Sequence, residues 1–148
     1  MNEAIFSSAS LCAMAAWVAL AIAAALPAGA ARGRLLFVAG RASPIVLCVL
    51  YALLLFRHWG SSPDGGFANL AAVGRLFAAP GKMLGGWVHF LAFDLLVGRW
   101  MVDDSLLPGR SRWLLALALP ATFMYGPMGV LVYLGLRAVS RRSQGMAT

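Results

Sequence analysis

Trp87-Val88-His89-Phe90-Leu91-Ala92-Phe93-Asp94-Leu95-Leu96-Val97-Gly98-Arg99-Trp100 is apolar enough to cross a membrane, yet it carries a histidine, an aspartate and an arginine. On insertion scales an ionisable group at the centre of a hydrocarbon layer costs roughly 2.5 to 3.5 kcal/mol. Such groups face a protein interior or a water-filled cavity and mark function. The rest of the chain agrees with a membrane setting. Of its 148 residues 61% are hydrophobic and 11% are charged, whereas soluble domains carry about a quarter charged residues. A chain so poor in polar groups cannot cover its surface against water, so an integral membrane protein is expected.

Working outward from that stretch, four apolar runs approach the ~20 residues that a bilayer core requires. They cover about 5–26, 35–56, 83–102 and 113–136. The first stops at Pro27-Ala28-Gly29 and the second lies between Arg32/Arg34 and Arg57-His58. The third ends at Asp103-Asp104, and the fourth closes at Arg137, Arg141 and Arg142. Residues 67–79 are too few to cross. They set Phe67, Leu70, Gly74 and Phe77 at helical spacing, which suits a short helix in the interface. The expected fold is therefore all-α: a single domain over 1–148, a four-helix transmembrane bundle with an interfacial helix between spans two and three. The tail from Ser140 to Thr148 is polar and expected to fray.

Ala28-Gly29-Ala30 resembles a signal-peptide cleavage site. However, Met1-Asn2-Glu3 provides no positive n-region, and the apolar run exceeds the usual roughly 7 to 15 residues, so an uncleaved span is expected. The net charge of +7 is spread over the connections and the C-terminus. That distribution points to topology and headgroup anchors rather than to nucleic acid. Cys12 and Cys48 lie in apolar runs and read as packing residues. Basic residues nearly balance across the four-span scheme, with a slight lean toward both termini being cytoplasmic.

At ~1.5 Å per residue, Arg41, Asp94 and Arg99 fall within one layer, at depths of about 9, 12 and 5 Å from the same side. An arginine–carboxylate fork would satisfy both charges there; snorkelling of the arginines to headgroups is the alternative. His89 is about 140° around the helix from Asp94 and lies deeper, so the two do not meet. Trp87, Asp94, Gly98 and Met101 share one stripe, and His89, Phe93 and Trp100 another. His89 is either an interhelical hydrogen-bonding group or an acid–base group. Tyr125 is expected at its depth in span four, beside Gly126-Pro127, where a proline frees a carbonyl and kinks the helix.

Trp87-x-His89, Asp94-Leu95, Arg99 and the acidic Asp103 or Asp104 resemble the plant neoxanthin-synthase-like family of small integral membrane proteins. That family is of the abscisic-acid-deficient type, and its bacterial members carry a domain-of-unknown-function label. Val49-Leu50-Tyr51 and Gly126-Pro127-Met128-Gly129-Val130-Leu131-Val132-Tyr133-Leu134 fit the same pattern. The resemblance implies four spans and, in plants, conversion of the epoxide violaxanthin to the allenic neoxanthin. This is an isomerisation that needs an acid and a base but no redox cofactor or metal. His89, Asp94 and Tyr125 are the candidate catalytic groups, and Trp87, Arg41, Arg99 and Trp100 the candidate substrate-binding ones. Whether Asp94 is an acid or an ion-pair anion depends on whether apolar burial or an arginine neighbour dominates. The Ala-, Gly- and Arg-rich composition reads as bacterial, which places the chain in the cytoplasmic (inner) membrane. The expected partner is a membrane lipid or carotenoid-like polyene, with a homo-oligomer as a further form. Two other classes stand beside the isomerase: a non-catalytic protein that binds a lipid or assists a partner complex, and a small transporter.

Overall fold

In the computed structural model, residues 1–145 are described, and they form helices and turns with no strand. Helix α1 spans Asn2–Ala25. A continuous rod then follows, made of α2 (Ala30–Phe37), a π-helical turn (Val38–Ala42) and α3 (Ser43–Arg57). Next come α4 (Leu70–Ala78), α5 (Pro80–Ser105), α6 (Leu114–Tyr125) and α7 (Pro127–Gly145).

Two helical stretches, Asn2–Ala25 and Ala30–Arg57, are long and apolar enough to cross a membrane, each with a mean hydropathy of 2.0. Only 28% of either apolar window is buried inside the fold. Leu11, Val18, Ile45 and Leu53 therefore face outward, as a lipid-facing surface requires. Helix α5 is as long, at 26 residues, but Lys82, Asp94, Arg99, Asp103 and Asp104 dilute its apolar character. It is the central helix, packed against α1, α3, α4 and α6. Small residues of α1, among them Ala9, Ala13, Ala16 and Ala23, are buried and permit close approach. Gly98 of α5 lies under Trp17, where an added Cβ would stand 2.6 Å from the indole.

The π turn has a cause in sequence. Pro44 has no N–H to give to the carbonyl four residues back, and its ring crowds that carbonyl. The preceding turn widens, and the Ser43 Oγ donates to Val38 O at 3.0 Å.

Helix α4 starts at Leu70 because Asn69 caps it, its side chain accepting from Ala72 N at 2.9 Å. The expected interfacial helix over 67–79 is thus shorter, and Phe67 belongs to the loop. That loop folds onto α4 through Arg75 Nε to Asp64 O, at 2.9 Å, and Gly66 N to Ala72 O, at 3.1 Å.

The largest departure concerns 113–136, which is not one rod. Gly126 takes φ +51°, a conformation suited to glycine, and Pro127 opens a new helix. Helices α6 and α7 pack against each other as a hairpin, with Gly129 against Thr122 across the turn. Three contacts fix its direction. Gly126 meets Asp94 in the middle of α5, while Tyr133 and Arg137 bind Asp104 near its C-terminal end. Helix α7 therefore returns toward the end from which α6 set out. At 12 residues, α6 rises about 18 Å, short of the ~30 Å hydrocarbon core. In place of four rods, the described residues form three long rods and a hairpin of α6 and α7. The backbone of the tail expected to fray is helical to Gly145; its remaining residues, 146–148, lie outside the described residues.

Candidate functional site

Because α6 and α7 turn back at Gly126, neither continues along α1 and α5 beyond the turn. This leaves a notch against the N-terminal halves of those two helices. Its wall is aromatic: Phe6 and Trp87 have ring centroids 5.4 Å apart, and Trp87 stacks on Phe90 at 6.1 Å. The indole N–H of Trp87 donates to Ser10 Oγ at 3.0 Å, fixing the ring across the α1–α5 seam. All three rings are exposed rather than packed away.

Asp94 stands where the notch meets the hairpin. A Cβ on Gly126 would lie 3.1 Å from Asp94 Oδ1 and 3.3 Å from Phe90. Glycine is thus required there twice, for its φ and for space. Asp94 Oδ2 is buried without a hydrogen-bond partner, and no cation pairs with the carboxyl among the described residues. The N-terminus of α7 brings the positive end of its dipole to this level.

The expected fork between Asp94 and Arg41 or Arg99 does not form. Arg99 Nε instead donates to Asp103 Oδ2 at 2.8 Å, one helical turn on, and its Nη1 donates to Leu36 O beside the π turn. Arg41 points to the exterior and is exposed. These groups share a layer by depth, but side-chain direction around each helix separates them.

His89 lies on the opposite flank of α5. It stacks on Phe93, with centroids 4.5 Å apart, and packs on Tyr51 of α3 at 5.2 Å. There it lines a second cavity of about 460 Å³, together with Trp59, Phe67, Phe77 and Lys82. Tyr125 is at the hairpin turn, next to the Asp94 contact rather than at the level of His89, and is 68% exposed. Trp100 packs edge-on against Tyr133 of α7 at 5.6 Å. Of the seven residues singled out from sequence, the structure brings Trp87 and Asp94 to the notch, sets Tyr125 in the chain next to its turn, and places His89, Arg41, Arg99 and Trp100 elsewhere.

Phe6, Phe90 and Gly126 complete the notch. Phe90 was legible as a site residue, since it falls on the Trp87–Asp94 stripe; nothing in the sequence singles out Phe6.

A partly buried ionic cluster closes the other end of the hairpin. The Tyr133 hydroxyl donates to Asp104 Oδ2 at 2.7 Å, Arg137 Nη1 lies 3.2 Å from the same oxygen, and Arg110 pairs with Asp104 Oδ1.

A family model described as ABA DEFICIENT 4-like matches residues 4–133. No curated protein and no solved structure matches the chain.

Proposed function

The chain belongs to the ABA DEFICIENT 4-like family, and on that premise we propose that it is a membrane protein whose notch takes an isoprenoid polyene and isomerises an epoxide at its end. Three rods cross the bilayer in this reading, and the α6–α7 hairpin enters from one face and returns to it. A polyene enters sideways from the lipid, lies along Phe6, Trp87 and Phe90, and brings its oxygen to Asp94 at the hairpin turn. The rings offer flat apolar faces, which suit a rigid conjugated chain.

The observation that carries this reading is the Asp94 carboxyl, half-buried at mid-helix with an oxygen that no protein group satisfies. A buried polar atom without a partner calls for explanation, and a substrate oxygen is one. In the proposed reaction Asp94 donates its proton to the epoxide oxygen as one C–O bond breaks. The resulting carboxylate, beside the positive end of α7, takes a proton from the adjacent chain carbon. That electron pair forms the new carbon–carbon π bond, and the carboxyl is regenerated. Protons and electrons balance within the substrate, so one group serves in turn as acid and base. Tyr125, at the same turn, offers a hydroxyl to the substrate oxygen. His89, on the other flank of α5, has no step in this scheme.

Membranes from a host supplied with a carotenoid epoxide test the proposal by pigment chromatography and mass. The intact protein should yield an isomer of unchanged mass. Asp94→Asn, similar in shape but unable to exchange the proton, should lower conversion by roughly 10²- to 10⁴-fold. An unchanged pigment profile with the intact protein, or conversion by Asp94→Asn at the same rate, would overturn it.

A further inference from the structure

A groove of about 770 Å³ runs between the C-terminal half of α1 and α6. Met14, Trp17, Ala21 and Ala25 line it from α1, and Leu119 and Phe123 from α6. From Met14 to Ala25 the groove follows eleven residues of helix, about 16 Å. One leaflet of a hydrocarbon core is about 15 Å deep, so the groove has the length of a single acyl chain.

Its polar lining side chain, Arg112, stands at the end where α1 stops and α6 begins. Arg112 Nη1 donates to Leu26 O at 3.2 Å and to Ala24 O at 3.4 Å, while Arg32 Nη1 reaches the same Leu26 carbonyl at 3.5 Å. Two guanidinium groups therefore converge on the C-terminus of α1, and neither has a carboxylate partner among the described residues. Each keeps N–H groups that these carbonyls do not occupy. Nearby Arg110, by contrast, is neutralised by Asp104.

We infer that this groove holds an anionic phospholipid, with one acyl chain between α1 and α6 and its phosphate against Arg112 and Arg32. A pair of cations without a carboxylate partner at the mouth of an apolar channel one leaflet long matches that amphiphile at both ends. A zwitterionic lipid would fill the channel, but its own cation would oppose the arginine pair. The inference rests on the membrane reading above and is independent of the isomerase.

Native mass spectrometry of the full chain, extracted into detergent and mixed with equimolar dioleoyl phosphatidylglycerol and dioleoyl phosphatidylcholine, is the test. The phosphatidylglycerol adduct should dominate by roughly fivefold for each arginine engaged, from about 1 kcal/mol per basic group. Arg112→Gln should reduce the preference by one such factor, whereas Arg34→Gln, exposed on the same side but outside the groove, should leave it. Ala21→Trp, which fills the channel, should reduce adducts of both lipids. Inorganic phosphate should not displace the bound lipid, because it does not occupy the channel. Equal binding of the two lipids, a preference that survives Arg112→Gln, or a dimer in place of lipid adducts would each overturn the inference. If the chain is recovered in the soluble fraction, the membrane reading itself fails. Membrane recovery with no lipid preference refutes the lipid site alone.

Discussion

The side chain of Arg99 fills the space where a Cβ on Gly40 would stand, and its guanidinium donates to the Leu36 carbonyl one turn earlier. Thus the widened turn before Pro44 is plugged by an arginine from α5. The same arginine is held from its other side by Asp103. This arrangement, not a fork to Asp94, accounts for a cation within an apolar seam: one end of the guanidinium meets a carboxylate and the other a carbonyl beside the disturbed ladder.

Gly40→Ala should therefore destabilise the fold, because the added methyl group meets the aliphatic stem of an arginine pinned at both ends. Overpacking of this kind costs about 1 to 3 kcal/mol. Arg99→Ala would remove the obstacle, so the double variant should lose less than the sum of the two single changes. Thermal unfolding in detergent measures all three. Strictly additive losses would mean that the two residues do not touch.

Asp104 is the anchor of the hairpin. Its side chain is 11% exposed and serves Arg110, Arg137 and Tyr133 together. Removing one partner from a fully buried ionic group costs roughly 3 to 5 kcal/mol, and partial exposure of the arginines lowers the expectation for Asp104→Asn to about 2 to 3 kcal/mol. Tyr133→Phe loses a hydrogen bond to a charged acceptor, worth about 1.5 to 3 kcal/mol. A variant at either position that melts with the intact protein would show the cluster to be dispensable.

Gly126→Ala places a side chain where φ is +51° and where the nearest atoms belong to Asp94 and Phe90. The conformation alone, with ψ −104°, costs about 1 to 3 kcal/mol for a residue with a Cβ. The methyl group also presses on the carboxyl, so conversion of a polyene should fall further than the loss of stability explains. Comparing pigment conversion with melting temperature separates the two effects. Full conversion by a destabilised Gly126→Ala would remove the hairpin turn from the reaction.

Much of this fold can be read from the chain because its signals are local. Pro27-Ala28-Gly29 ends α1, the basic residues around 32–34 and 57–58 bracket the second rod, and the Trp87–Asp94–Gly98–Met101 stripe marks the face of α5 that meets α1 and the hairpin. The ion pairs of Asp103 and Asp104 were harder, since a span end and an anchor for a distant helix look alike in sequence. Tyr125-Gly126-Pro127 announces a break, but the angle of that break is set by Tyr133 and Arg137 reaching Asp104, contacts about 30 residues apart in sequence. A run of 24 apolar residues satisfies the length rule for a crossing whether or not it folds back. Hence the helical class and the Asp94 stripe were legible, while the notch that the fold-back opens was not.

The fold-back also changes the topology expected on the proposed three crossings. With three crossings and α7 returning to the C-terminal end of α5, the proposal puts Arg32, Arg34, Arg110, Arg112, Arg137, Arg141 and Arg142 at one face of the membrane, and Arg57, Arg75 and Lys82 at the other. Seven basic residues against three replaces the near balance of the four-span scheme, and the richer face should be cytoplasmic. The N-terminus and Ser62 should then lie outside, with Ala31, Gly109 and the C-terminus inside. Paired reporter fusions, one active only in the cytoplasm and one only beyond the membrane, read each position. Opposite signals for the two termini are the expected result, because three crossings and a hairpin make an odd number of passages. Matching signals at the termini would mean that 113–136 crosses after all, and the notch beside Asp94 would close.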